Sequence, residues 1–101
     1  VMKSSIDFTQ IHKQTYEIVE KGGKKLNILP PTITMMSDIE LLRKEQPLDT
    51  VIEIFAKILS HNQQHIVFDD KYVRDNYSII DIKAVVNDYD LFAAEVISNP
   101  N

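Results

Sequence analysis

The 101-residue sequence contains no cysteine and no tryptophan, and it has only two glycines and four prolines. Without cysteine there is no disulfide, no thiolate nucleophile and no cysteine-based zinc site. The few glycines and prolines, together with 44% hydrophobic residues, argue against a low-complexity or disordered chain. No apolar run approaches the roughly 18 residues that span a bilayer, so we expect no membrane partner.

Basic residues are also few, with 11 Lys and Arg against 15 Asp and Glu. The net charge of −4 gives no long-range attraction for phosphate, so we expect no nucleic-acid partner. Lys and Arg are spread thinly over all predicted elements, which argues against a basic recognition helix. The number of helices still allows an alternative, a small phage or bacterial regulator or adaptor that binds nucleic acid through a helix-turn-helix.

The pattern of apolar residues predicts a mainly α fold, a small helical bundle of about four helices with an N-terminal β-hairpin. We predict a polar arm over residues 1–13 and a single helical domain over residues 14–101. Alternating residues around Gly22-Gly23 predict the hairpin over about 14–28. Such a hairpin is marginal alone, so it packs on helices or pairs with another chain. Prolines and 3.6-residue periodicity predict helices over about 32–44, 48–60, 70–76 and 79–98.

The second and the last helix carry the apolar stripes that we expect to form the core. The stripe residues predicted to be buried are Ile52, Phe55, Leu59, Val86, Tyr89 and Ala93. Ser78 followed by Asp81 resembles a capping box, which indicates that the last helix begins there. Asp69 or Asp70 is placed to cap the short helix before it.

The polar residues do not form a catalytic or metal-binding pattern. His61 and His65 are four residues apart, but "HNQQH" lies where a helix is ending, so solvated loop histidines are the expectation. The adjacent Asp69 and Asp70 are typical of a helix cap, and "KGGKK" lacks the spacing of a phosphate-binding loop. The sequence therefore predicts a protein that is not an enzyme, with no catalytic residue, no metal and no cofactor.

The first helix, within "PPTITMMSDIELLRKEQP", carries more apolar residues than one stripe needs. A helix with several neighbours in a small bundle needs a wide apolar arc. The sharper hypothesis is that part of the surplus binds a partner, because adjacent methionines suit an adaptable groove for foreign helices. The predicted partner-binding residues, on the first and last helices, are Met35, Met36, Ile39, Leu42, Ile80 and Leu91. We expect Met35→Asp with Leu91→Asp to leave the helical spectrum intact and to weaken assembly.

The order of these pieces over residues 14–101 resembles a known family. The stretch "YEIVEKGGKKLNILPPTI" leads into a helix, "AKILSHNQQ" ends the next one, a short acidic helix follows, and the last helix runs to "VISNPN". This is similar to the small tail assembly chaperones of siphophages that infect Gram-positive bacteria, of the lactococcal-phage type. These are also called tape measure protein chaperones.

The resemblance implies a non-catalytic protein without a cofactor, made in the cytoplasm of the infected bacterial host and absent from the mature virion. It implies that many self-associating copies coat the long, apolar, helical tape measure protein before the tail tube polymerises around it. It supplies no set of binding residues. The six residues named above come from the apolar pattern alone.

Overall fold

The computed structural model describes residues 14–98, so the predicted arm over 1–13 and the terminal "NPN" lie outside the described residues. Within that range the fold is mainly α with a β-hairpin at its N-terminal side, as predicted. The predicted limits of the last three helices agree with the structure, and the first helix is shorter than predicted. The elements in chain order are β1 (Tyr16–Val19), β2 (Lys25–Ile28), α1 (Ile33–Leu41), α2 (Leu48–Ser60), α3 (Asp70–Asn76) and α4 (Ile79–Ser98).

The hairpin pairs within the chain. β1 and β2 are antiparallel, with Tyr16 opposite Ile28 and Ile18 opposite Leu26. Gly23 has a φ of 87°, in the region where glycine has no steric penalty, and this allows the tight turn. The outer edge of β2 is covered by the segment that follows α2, because the Gln63 N–H donates to the Asn27 carbonyl at 2.8 Å. The hairpin is thereby held against the helical part of the molecule.

α1 is shorter than predicted because both of its ends are capped inside the predicted range. The Thr32 hydroxyl accepts a hydrogen bond from the Met35 N–H at 3.2 Å, which makes Thr32 the N-cap. After Leu41 the chain tightens, and the Lys44 N–H bonds to the Leu41 carbonyl at 3.1 Å across only three residues. The helix therefore ends three residues before the predicted limit.

A buried asparagine organises the segment after α2. The Asn62 side chain donates to the carbonyls of Leu59 and Ile66, at 2.8 and 2.7 Å, and accepts from the Ile66 N–H at 3.0 Å. Ser60 contributes a second link, since its hydroxyl accepts from the Phe68 N–H at 2.9 Å. A buried side chain with every polar group paired fixes this loop in one conformation.

α2 lies at the centre of the hydrophobic core. It packs against α1, α3 and β2, and six of its side chains are buried. The core predicted from the sequence is confirmed at five positions, while Val86 is only partly buried because it faces a groove described below. The five confirmed core residues are Ile52, Phe55, Leu59, Tyr89 and Ala93.

α4 begins with the predicted capping box. The Ser78 N–H donates to the Asp81 carboxylate at 2.8 Å, and the Asp81 N–H donates to the Ser78 hydroxyl at 3.1 Å. Further along the helix, the buried Tyr89 donates its hydroxyl hydrogen bond to the Leu29 carbonyl at 2.6 Å. The Tyr16 ring packs on Tyr89 and Phe92, with centroid separations of 5.7 and 5.8 Å. These contacts fix the side of α4 that faces the core.

Candidate partner-binding surfaces

An apolar groove runs between the start of α2 and the first half of α4. Its larger part has a volume of about 650 Å³, and a second part of about 260 Å³ extends it toward α3. The two parts share Leu48, Ile79 and Ile82, so they form one continuous depression. We call it the α2–α4 groove and define it by its apolar lining, Leu42, Leu48, Val51, Ile79, Ile82 and Val86.

The rim of the α2–α4 groove is mostly basic. Arg43 bridges the carboxylates of Glu40 and Asp90, at 3.2 and 2.7 Å. Lys44 and Lys83 also lie at the rim and form no ion pair within residues 14–98. An apolar floor with a few charged groups at the edge is the usual chemistry of a site for an amphipathic segment.

A second surface lies on the side of α4 that points away from the core. Ile80 and Leu91 are 76% and 69% exposed there. The residues that share this side are all exposed and none of them is charged. We call this surface the α4 seam and define it as Ile80, Ala84, Asn87, Leu91, Ala94 and Ser98.

The structure places the six predicted partner-binding residues in four different settings. Ile80 and Leu91 lie on the α4 seam, and Leu42 lines the α2–α4 groove. Met36 is partly buried.

Met35 and Ile39 require a correction. They are only 8% and 2% exposed and belong to the core, so the prediction that they form a surface is wrong. They are four residues apart and share the side of α1 that packs on α2. The apolar residues of α1 that stay exposed are instead Ile33 and Leu41.

Several residues of these surfaces were not identified from the sequence. Leu48, Val51 and Ile79 follow the apolar periodicity of their helices, and only the tertiary arrangement of α2 and α4 leaves them lining a groove. Ala84, Asn87 and Ala94 gave no signal as individual residues. Starting from Ile80, the seam residues follow one another in alternating steps of four and three, which is visible in the sequence. This spacing identifies the seam once the opposite side of α4 is known to be buried.

Histidines and carboxylates take structural positions. The His61 Nε2 lies 2.9 Å from the Pro30 carbonyl, and His65 is exposed in a left-handed backbone conformation with φ of 59°. Asp69 caps α3 by accepting from the Tyr72 N–H at 2.9 Å. The hydrogen bond from the Ser78 backbone lowers the pKa of Asp81. Within residues 14–98 no three His, Cys, Asp or Glu side chains are grouped as metal ligands.

One partly buried polar cluster joins the hairpin to the helices. The hydroxyls of Tyr72 and Tyr77 both donate to the Glu20 carboxylate, at 2.8 and 2.7 Å. Burial, and then the bond to Glu20, raises the pKa of both phenols. The two neutral phenols donate to one carboxylate, and these hydrogen bonds stabilise the junction between the hairpin and the helices. A cavity of about 490 Å³ lies beside them. Its only other lining group with a shifted pKa, within residues 14–98, is Asp81 of the capping box.

Comparison of the chain with protein-family models, with curated proteins and with solved structures finds no match. In the part of the chain that the structure describes, no helix has both the length and the hydropathy required to cross a bilayer.

Proposed function

We propose that this protein is a phage tail assembly chaperone that binds the tape measure protein and keeps it soluble, without catalysis. The observation that supports this most is the α2–α4 groove, whose floor of Leu, Ile and Val side chains is open to solvent. An open groove with aliphatic side chains along its floor is the kind of surface on which an amphipathic helix lays its apolar face.

The groove has the chemistry expected for a helical client. A long amphipathic helix in water exposes an apolar stripe and aggregates through it. The α2–α4 groove offers aliphatic side chains without a buried polar anchor, so it accepts different client sequences and different registers. The charged rim leaves the polar side of the client in water.

Reversibility follows from the modest size of the groove. A tail tube subunit has to displace the chaperone, so each contact is weak, and repeated copies along one tape measure protein provide the avidity. Self-association of this chain is part of the proposal for the same reason. The protein acts in the cytoplasm of the infected bacterium and leaves before the virion is complete.

The alternative, a small regulator that binds nucleic acid, has less support. Five of the basic residues are paired with carboxylates at the surface, so they do not form a free basic helix face. These residues are Lys21, Arg43, Lys57, Lys71 and Arg74. A salt-dependent shift of duplex DNA at moderate protein concentration would favour the regulator over the chaperone.

The experiment is co-expression with an apolar, coiled-coil fragment of a tape measure protein. We expect the fragment to be soluble with the wild-type protein, and Leu48→Asp to reduce the soluble fraction because it places a charge in the groove. Leu48 is exposed, so the variant should fold. Val67→Asp is the matched control, since Val67 is an exposed aliphatic residue in the loop before α3, outside the groove.

The same samples test self-association through light-scattering mass measured over a range of protein concentrations. A mass that rises with concentration, and rises further with the fragment, agrees with the proposal. A fragment that stays insoluble with wild-type protein in excess would end the chaperone proposal.

A further inference from the structure

We propose that the α4 seam is a docking surface for a second helix, one with an apolar stripe bordered by Lys or Arg. The inference extends the proposed function by describing the partner in more detail. It rests on the proposed function only in identifying that partner as the tape measure protein. It adds a surface that adjoins the α2–α4 groove at Asn87, and it gives the charge pattern that the partner must have.

The spacing of the seam is that of a coiled coil. Its six residues follow one another in steps of four, three, four, three and four, an average of 3.6 residues, which is the period of an α-helix. This repeat keeps one line of side chains facing a partner helix along the full length of α4. The core side of α4, which carries Ile82, Tyr89 and Ala93, points the opposite way. The repeat therefore has no structural use within residues 14–98.

The seam combines large and small side chains. Ile80 and Leu91 are large, whereas Ala84, Ala94 and Ser98 are small and leave room for larger side chains of the partner to insert between them. Asn87 occupies one seam position, where a polar side chain fixes the register of a helix pair at some cost in stability.

The acidic border decides the charge of the partner. Asp81, Asp88 and Glu95 directly follow Ile80, Asn87 and Ala94 and recur every seven residues, so one border of the seam is acidic from end to end. Asp81 is partly buried, and Asp88 and Glu95 are exposed. In a helix pair these are the positions that select the partner by charge, and they favour Lys or Arg opposite them. The net charge of −4 attracts a basic partner over longer distances.

A second copy of this chain fits the seam less well. Antiparallel pairing sets the two acidic borders against each other. The other border of the seam carries Lys83 and Asp90. In parallel pairing Lys83 attracts Asp88 of the second copy, but Asp90 repels its Glu95. The seam therefore favours a different, basic helix.

The test uses two synthetic amphipathic peptides of four heptads. Both have Leu and Ala at the stripe positions; one has Lys at both borders, and its twin has Glu there. Fluorescence anisotropy with the full-length protein measures the two dissociation constants. We expect the Lys peptide to bind at least about tenfold more tightly than the Glu peptide, with an affinity that falls as salt is added.

Variants locate the binding on the protein. Leu91→Asp should weaken the Lys peptide about tenfold or more, and Glu95→Lys should reduce the preference for Lys over Glu. Val67→Asp, in the loop outside both surfaces, should leave peptide binding unchanged. Circular dichroism spectra matching the wild type establish that each variant is folded.

Three outcomes would overturn the inference. The first is equal binding of the two peptides, and the second is peptide binding that Leu91→Asp does not change. The third is a protein that binds neither peptide and loses its self-association when the seam is mutated. That result would assign the seam to a second copy of the chain. If the peptide results are as expected but the tape measure fragment stays insoluble, the chaperone proposal fails and the seam stands as a docking surface for another basic helix.

Discussion

α2 and α4 are both amphipathic helices, but the structure uses their apolar residues differently. α2 buries six of its 13 residues, because α1, α3 and β2 all pack around it. α4 buries three of its 20 residues and leaves Ile80 and Leu91 in water on its far side. Both helices carry more apolar residues than one neighbouring element could cover. In α2 the surrounding elements bury them, whereas in α4 some of them remain on the surface.

The polar sides of the two helices sharpen the difference. The exposed side of α2 carries Glu53 and Lys57, an ion pair with an N–O distance of 3.6 Å, as expected for a helix that simply faces solvent. The side of α4 opposite the core has no charged residue over the six positions of the α4 seam. An uncharged outer face bordered by charges is typical of a helix that pairs with another helix.

The largest effect is expected at the centre of α2. Phe55 is fully buried and packs edge-on against Tyr77 with a centroid separation of 5.0 Å. Truncation of Phe55 to Ala should lower the free energy of unfolding by about 3–5 kcal/mol, because it removes buried area and leaves a cavity. Urea denaturation measures the change. Leu91→Ala on α4 is the control, with an expected loss of about 0.5 kcal/mol or less.

Equal losses for Phe55→Ala and Leu91→Ala would contradict the comparison, since they would mean that the α4 seam is as buried in solution as the middle of α2.

The next largest effect is a difference in stability between the Asp variants of Met35 and Leu91, two residues that the sequence analysis assigned to the binding surface. Met35→Asp puts a carboxylate into the core beside α2 and should destabilise the fold by about 3 kcal/mol or more. Leu91→Asp should leave both the helical spectrum and the thermal midpoint near the wild type. The double change is therefore expected to unfold the protein, contrary to the sequence-based expectation. A double variant that keeps its helical spectrum would place Met35 at the surface.

The smallest effect concerns the tether between the hairpin and α4. The Tyr16 hydroxyl donates to Asp88 at 3.0 Å, and burial together with that bond raises the pKa of Tyr16 to about 12. The unfolded phenol titrates near pH 10, so its contribution is fully present below about pH 10 and is lost as the pH rises through about 12. The loss is about 1 kcal/mol or less because solvent screens this partly exposed group.

Urea midpoints at about pH 9 and pH 11.5 test this tether. Tyr16→Phe is the matched variant, since it keeps the ring packed on Tyr89 and removes the phenol. The wild type should lose more stability than the variant between the two pH values. The raised pKa values of Tyr72, Tyr77 and Tyr89 act in the same direction in both proteins, so they cancel in the comparison. Identical losses in the two proteins would show that Tyr16 does not anchor α4 in solution.

The stretches that carried the family resemblance have structural roles here. In "LPPT" the Leu29 carbonyl accepts from Tyr89 and Thr32 caps α1, while in "ILSHN" Ser60 and Asn62 hold the loop after α2. Local geometry can require such motifs in proteins of different function. These stretches therefore have roles in folding that any function would allow, and the proposed function depends on the two surfaces and their tests.

The amino-acid sequence determined the elements and most of the core. Proline positions, the Ser78–Asp81 capping box and 3.6-residue periodicity depend on interactions within a few residues, so the limits of α2, α3 and α4 were predictable. Only the tertiary structure decided which apolar residues stay in water. Met35 and Leu91 are both apolar residues in predicted helices. Met35 is buried because α1 packs against α2, whereas Leu91 faces solvent because no element within residues 14–98 covers the far side of α4. Burial depends on neighbours distant in sequence, which local periodicity does not specify.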